Sequence, residues 1–349
     1  MAACEPAGRT IAVIGAGMVG RGLLAELFGE AGWLVRLIDV DEALVEALRR
    51  DGGFRHIVAD GLERRESWVP VADAVTPSDK DAARVVAGSE LVATAVGARN
   101  LPGLAPLLAQ AGGLRGRGLD VILCENLAAA DSVLLRELTY LGARASDFGL
   151  ARSVVGRMIP PSQDQLAVVV EPYGELLIDH RALCLPHDLP PRVVVDDAVS
   201  FDFYEERKLA VHNLGHFLAA MLGLAYGDEY VHQAVARPQV WAWTRAAMME
   251  SAAALAVKHH VPLEPLEAHA DDLMRRFANT GLNDPNARVA RDPQRKLADG
   301  ERVALAMEMT RDANLSAPHL RLAQALAEDL ADGRRLSPQA AQSYLIGIR

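Results

Sequence analysis

The sequence predicts an α/β chain of two domains, an N-terminal parallel-sheet domain with additional strands over residues 1–199 and a mainly α-helical domain over residues 200–349. Three observations carry this. Between Thr10 and Val155, short apolar β-rich runs alternate with helical patterns, as a parallel sheet with crossover helices requires. From about Phe201 onward the pattern is almost wholly helical. At 349 residues the chain also exceeds the size at which one core keeps growing.

Composition narrows the function classes. Half the residues are hydrophobic, which excludes a disordered chain. No apolar run reaches the roughly 20 residues that span a bilayer. Met1-Ala2-Ala3-Cys4-Glu5-Pro6 has no basic region ahead of an apolar segment, so no secretory signal is expected. The cysteines (Cys4, Cys124, Cys184) are few, odd in number and without metal-ligand spacing, which fits a reduced, cytoplasmic protein with no metal. A net charge of -10 argues against nucleic-acid partners, and means that an anionic substrate would need a local basic patch.

The first element is the strand Thr10-Ile11-Ala12-Val13-Ile14. It runs into Gly15-Ala16-Gly17-Met18-Val19-Gly20 and then into a helical segment. A second apolar run, Trp33 to Ile38, ends at Asp39, 19 residues beyond Gly20. This is the dinucleotide-binding fingerprint of a Rossmann domain. Gly15 permits the tight turn, Gly17 lets the backbone approach a pyrophosphate, and Gly20 lets helix and strand pack closely. The phosphates would sit on Gly15, Gly17, Met18, Val19 and Gly20, at a helix N-terminus whose free N–H groups favour anions. Asp39 is placed to bind a ribose 2′-hydroxyl and to repel a 2′-phosphate, so NAD is expected rather than NADP. The alternative is a glycine-rich structural turn.

Asp41 to Arg50 reads as a helix, Phe54–Ala59 and Val69–Val75 as strands flanking a charge-rich loop, and Ser78 to Ala87 as a helix. Leu91 to Val96 reads as a buried parallel strand. Its end, with Ala95, Val96 and Gly97, lies where ligands bind in open α/β sheets. A helix follows from Leu101 to Ala111, and then the strand Asp120–Cys124, which ends in Glu125-Asn126. Asn126 therefore faces the same crevice, unless it caps a turn or helix. Phe148–Val155 is a further strand. After the turn Ile159-Pro160-Pro161, the runs Leu166–Val170, Leu176–Ile178 and Val193–Val195 suggest an antiparallel extension of the sheet.

In the second half, Glu205 to His216 holds the pattern K-x4-N-x2-H without an interrupting proline. At about 100° per residue, setting Lys208 at zero puts Glu205 near 60°, His216 near 80° and Asn213 near 140°. A base, an amide and an imidazole on one helical face could hold a hydroxyl group from several sides. An amphipathic helix with a wet polar face is the plainer reading. His212 and His216 have the i,i+4 spacing of zinc ligands, but the glutamate of H-E-x-x-H is missing and Lys208 shares the face. His259-His260 reads as an exposed helix end, and Trp241 with Trp243 as helix packing.

These residues resemble the polyol-specific long-chain dehydrogenases, and among them those acting on mannitol 1-phosphate. The resemblance rests on K-x4-N-x2-H, Gly15 to Gly22, Thr94 to Gly97, Cys124-Glu125-Asn126, Arg152 to Pro161, and Asn283-Asp284-Pro285 through Arg295-Lys296-Leu297. It runs from about residue 10 to residue 300. Met18 departs from the pattern, which has asparagine there. Phe217 to Leu222 departs too, where smaller residues and a tyrosine are usual. The resemblance implies metal-independent hydride transfer between NAD and a polyol or its phosphate, by a monomer or weak homo-oligomer. Lys208 would be the general base, with its pKa lowered by burial. Asn213 and Asn126 would steady the developing alkoxide, His216 would orient a neighbouring hydroxyl, and Glu205 would relay the proton.

The expected reaction interconverts mannitol 1-phosphate and fructose 6-phosphate. Alternatives are an unphosphorylated polyol or sugar acid, and a catalytically silent NAD-binding module. Arg288, Arg291, Arg295 and Lys296 are the candidate phosphate ligands. Against this stands a set of ion pairs with Asp284, Asp292 and Asp299.

Overall fold

The computed structural model describes residues 8–162 and 164–347; Cys4 and the Met1–Pro6 segment, on which the expectation of no leader rests, lie outside them. The chain divides into two compact units at Asp197/Ala198. The first contains β1 (Thr10–Ile14), β2 (Leu34–Ile38), β3 (Gly53–Asp60), β4 (Glu63–Pro70), β5 (Asp73–Val75), β6 (Leu91–Thr94), β7 (Leu119–Leu123), β8 (Phe148–Val155), β9 (Ala167–Val170), β10 (Leu176–Ile178) and β11 (Val193–Val194). Eight of them form one sheet in the order β11-β10-β8-β7-β6-β1-β2-β5.

From β5 to β8 every neighbouring pair is parallel, and their fully buried Ile, Val, Leu and Ala runs match a sheet covered on both faces. The strand order reverses between β1 and β6, so the crevice at this switch point opens between the Gly15–Gly20 turn and the Ala95–Gly97 turn. β10 adds antiparallel to β8, as the sequence suggests.

Four local expectations are corrected. β9 does not extend the main sheet: it pairs parallel with β3 in a second sheet, β4-β3-β9. The charge-rich segment read as a loop is the edge strand β4, joined to β3 by the two-residue turn Gly61-Leu62. Only Val69 of β4 is buried, so no apolar alternation marks it; charged residues are how edge strands are kept from pairing further. The third helix begins at Ala82 rather than Ser78, because Asp79 accepts from the Thr76 N–H (3.0 Å) and holds a turn there. A helix over Ala130–Tyr140 was not anticipated.

The glycine turn leads into a π-helical stretch, Gly20–Ala25, before α-helix resumes at Glu26–Glu30. Its six residues are all buried. The Gly22 carbonyl accepts from Arg157 Nη1 at 2.8 Å, and the same nitrogen meets Glu26 Oε2 at 3.0 Å, both side chains being almost fully buried. A buried arginine thus ties the helix to the segment after β8.

In the second unit one helix, Phe201–Tyr226, carries the K-x4-N-x2-H pattern. Ser200 caps its start by accepting from the Asp202 N–H, and Gly227 ends it in the left-handed region at φ 81°. On average it is apolar enough to cross a bilayer (mean hydropathy 1.3), yet 67% of that window is buried inside the protein. It packs against Pro238–His259, where a Cβ on Gly215 would lie 2.4 Å from Met248 Sδ. Glycine is the residue that allows this contact.

Candidate active site

In the first unit the glycine turn has the geometry a dinucleotide needs. Gly15 sits at φ +101°, where an added Cβ would also lie 2.5 Å from the Ala95 carbonyl oxygen. At Gly20 an added Cβ would lie 1.9 Å from the Gly15 carbonyl oxygen. At Gly17 nothing comes within 4 Å, so the backbone is bare toward the crevice. Gly15 and Gly20 thus sit where a side chain would clash with backbone, and Gly17 where one would meet open space.

Asp39 closes this turn. Its Oδ2 accepts from the Ala16 N–H at 2.6 Å and its Oδ1 from the Asp41 N–H at 3.0 Å. Beside it lies a cavity of about 450 Å³ lined by Gly17, Met18, Asp39, Asp41, Pro161 and Asp164. Met18 is 43% exposed at its edge. The lining carries three carboxylates, Asp39, Asp41 and Asp164, and one guanidinium, Arg21, so its balance is acidic. On the other lip, Asn100 Nδ2 donates to the Val96 carbonyl at 2.9 Å, and Gly97 adopts φ +85°. Asn126 is exposed immediately beyond β7.

In the second unit the structure changes the expected helical geometry. Lys208–Asn213 is a π turn, not α-helix. Lys208 and Asn213 are five residues apart, the i to i+5 spacing that a π turn draws toward alignment, whereas an α-helix would separate them by about 140°. Glu205, Lys208, Asn213 and His216 are all half-buried, while Ala210, Val211, His212, Leu214 and Gly215 between them are buried. Glu206, Arg207 and Leu209 are half-buried as well, so the four polar residues are partly accessible without being set apart by burial alone.

His216 is held by groups distant in sequence. Its ring stacks on Phe277, with centroids 5.0 Å apart and planes at 12°. Its Nε2 is 3.3 Å from Asp284 Oδ2, and Asp284 takes a two-pronged contact from Arg288 at 2.8 and 2.7 Å. Burial pushes the Asp284 carboxyl up, but His216 and Arg288 outweigh it and the net direction is down. His212 turns inward and is kept neutral by burial and by Arg276, which makes it a core imidazole.

The basic cluster is largely occupied. Arg288 is on Asp284, Arg295 Nη1 meets Glu301 Oε1 at 2.7 Å, and exposed Arg291 lies 3.7 Å from Asp292. Lys296 is buried, donates to the Val289 carbonyl at 2.5 Å and to that of Arg291, and lies over the Phe217 ring at 4.6 Å. Burial, then Arg302 and Arg295, pull its pKa down to about 7. Of the three expected acidic partners Asp284 and Asp292 are engaged, and Glu301 takes Arg295. One more expectation is corrected. His259 is half-buried rather than exposed, its Nε2 lying 2.8 Å from Glu206 Oε2, so it anchors the signature helix; His260 is the exposed end.

The sequence indicated Asp284 as a partner of the arginines but not of His216, and gave no sign of Phe277 or Glu125 as partners of site residues. Asp284 and Glu125 lie inside the motifs quoted above, but His216, Thr94 and Val96 are far from them along the chain.

The chain matches the mannitol dehydrogenase Rossmann domain over residues 9–186 and the mannitol dehydrogenase C-terminal domain over residues 200–339. It is 33% identical over 303 residues to the mannitol-1-phosphate 5-dehydrogenase of Shouchella clausii (strain KSM-K16), covering 83% of this chain and 80% of that one. The same-named protein of Geobacillus thermodenitrificans (strain NG80-2) is 32% identical over 305 residues, covering 83% and 78%. In fold the chain resembles Pseudomonas fluorescens mannitol 2-dehydrogenase, solved as a ternary complex with NAD and D-mannitol. The TM-score is 0.75 and the identity 17%, over 98% of this chain and 84% of that one. It also resembles a substrate-free D-sorbitol dehydrogenase, with TM-score 0.77 and identity 14%, over 96% and 84%. With a Rossmann unit, a helical unit and both domain matches in order, this chain belongs to the mannitol dehydrogenase family and is a polyol or polyol-phosphate dehydrogenase.

Proposed function

We propose that the protein catalyses the NAD-dependent interconversion of D-mannitol 1-phosphate and D-fructose 6-phosphate without a metal. The observation that carries this reading is the set of partly accessible polar residues Glu205, Lys208, Asn213 and His216 on one helix, with Lys208 and Asn213 at the two ends of its π turn, in a chain whose relatives are named for that reaction. In the oxidation, Lys208 takes the proton of the reacting hydroxyl. Asn213 and Asn126 donate hydrogen bonds to the oxygen as its charge grows, where such donors lower the barrier most. His216, aimed by Asp284 and stacked on Phe277, holds a neighbouring hydroxyl. Glu205 passes the proton from Lys208 toward solvent. Gly15, Gly17, Met18, Val19, Gly20, Asp39 and the Ala95–Gly97 turn would hold NAD, whose nicotinamide would accept the hydride from the carbinol carbon.

Arg291 and Arg295 are the cluster members best able to meet a phosphate, since they are the more exposed ones, although Arg295 pairs with Glu301; Arg288 is spent on Asp284 and Lys296 is buried. That occupancy favours a second reading, in which the substrate is an unphosphorylated polyol and the cluster braces the fold. NADH oxidation with fructose 6-phosphate and with free fructose, side by side, separates the two. The first reading expects strong preference for the phosphate, and a KM for it raised about 10-fold or more in Arg295→Ala. Preference for fructose overturns it in favour of the second.

A further inference from the structure

Glu125 is a buried carboxylate beside the crevice for which the proposed chemistry has no use. It is 6% exposed, at the C-terminal end of β7. Its Oε2 accepts from Thr94 Oγ1 at 2.6 Å and its Oε1 from the Val96 N–H at 3.0 Å. Thr94 ends β6, and Val96 lies in the turn against which Gly15 is pressed: a Cβ on Gly15 would fall 3.0 Å from Val96 N. The next residue in the chain is Asn126. One side chain thus joins the ends of β6 and β7, and contact at Gly15 carries the link to β1.

Burying a carboxylate is costly unless its oxygens are satisfied. Here burial pushes the carboxyl up, against the hydrogen bonds from Thr94 and Val96. A serine or alanine would close the strand ends without that cost. What a carboxylate adds is a rigid two-point clamp between the turn on the cofactor side and the residue before the amide.

We propose that Glu125 is a positioning residue: by clamping Thr94 and Val96 it fixes Asn126 relative to the Ala95–Gly97 turn. This rests on the reading of Asn126 as a donor to the substrate oxygen. Misplacing a reacting group by about 1 Å can cost 10²-fold in rate, so the clamp matters to kcat while leaving the glycine turn able to bind.

The test compares Asn126→Ala, Glu125→Ala, Glu125→Gln, Thr94→Val and the double variant Glu125→Ala/Asn126→Ala. Its readouts are kcat, KM, and NADH affinity by fluorescence. Glu125→Ala is expected to lower kcat about 10- to 100-fold with NADH affinity changed less than about 3-fold. Glu125→Gln should restore most of the rate, since its amide can accept from Val96 and donate to the threonine hydroxyl. The double variant should be no slower than Asn126→Ala alone, because positioning an absent amide has no effect. If Glu125→Ala does not fold, Thr94→Val, which removes one arm of the clamp, carries the same expectations at smaller size. A kcat loss that multiplies with that of Asn126→Ala, or no loss at all while Asn126→Ala is slow, overturns the clamp. If Asn126→Ala itself keeps full activity, the reading of Asn126 fails, and the clamp fails with it.

Discussion

Both units interrupt a helix with a six-residue π turn, Gly20–Ala25 and Lys208–Asn213, and the two turns are built in opposite ways. In Gly20–Ala25 every residue is buried, and the turn meets protein on all sides. In Lys208–Asn213 only Ala210, Val211 and His212 are buried, and the ends of the turn are accessible polar residues. The first turn shapes backbone. It seats a helix against β9, with a Cβ on Gly22 falling 2.8 Å from Val168 Cγ1, and an arginine satisfies its carbonyl. The second displays side chains at a spacing that α-helix does not provide. A π turn weakens the regular hydrogen-bond ladder, so it persists where packing or function compensates for it. Here one turn is held by packing, and in our reading the other by function.

The contrast can be broken most sharply at Lys208. Lys208→Ala is expected to lower kcat about 10²- to 10⁴-fold, as loss of a general base does. Melting temperature and NADH binding by fluorescence should stay near wild type. Comparable kcat in the variant would remove the base from the mechanism and leave the second turn without its stated role.

The same replacement logic in the first turn should strike stability. Arg157→Leu removes one of the two arginines on the buried Glu26 carboxylate, leaving Arg192, and the shorter of two contacts on the Gly22 carbonyl, leaving His56 at 3.4 Å. Breaking a buried pair from one side costs about 3–5 kcal/mol when the remaining charge is left unpaired, and Arg192 offsets part of that, so the urea midpoint should fall by less than the full amount. A midpoint within error of wild type would mean that the arginine does not hold this turn.

The smallest effect expected is on pH dependence. Burial, then Arg207 and Arg276, bring the His269 pKa down to about 3, and His212 behind the second turn is also held low. In the unfolded chain these imidazoles bind protons near pH 6.5. Between pH 6.5 and about 3 the unfolded state therefore holds more protons, and stability present above pH 6.5 is lost as pH falls. Urea midpoints measured from pH 7 to pH 4 should decline, and His269→Gln should flatten the decline by about one proton's worth. An identical slope in the variant would show that His269 titrates normally in the folded protein.

The glycine turn could be read from sequence because each constraint on its backbone leaves a residue behind. Gly15, Gly17 and Gly20 mark a positive φ, an open approach and a tight contact, all within six positions. Asp39 could be read for a similar reason, at the end of the neighbouring strand. β4 could not, since an edge strand exposed on both faces has no apolar period. The partner of β9 could not either: four apolar residues suit any sheet, and its pairing with β3 depends on residues over 100 positions away. The polar set on the signature helix was legible as residue identities. Its angles were misjudged, because they follow the helix period, and a π turn alters that period.

The sequence by itself determined the two-unit order, the parallel sheet with its glycine turn, and the identities of the polar residues on the signature helix. These follow from local spacing, apolar period and the special freedom of glycine. Tertiary structure alone decided the π turns, the transfer of β9 to the second sheet, the link from Arg288 through Asp284 to His216, and the Glu125 clamp. Each of these is a choice among hydrogen-bond partners of similar local energy, and packing against distant parts of the chain selects one of them.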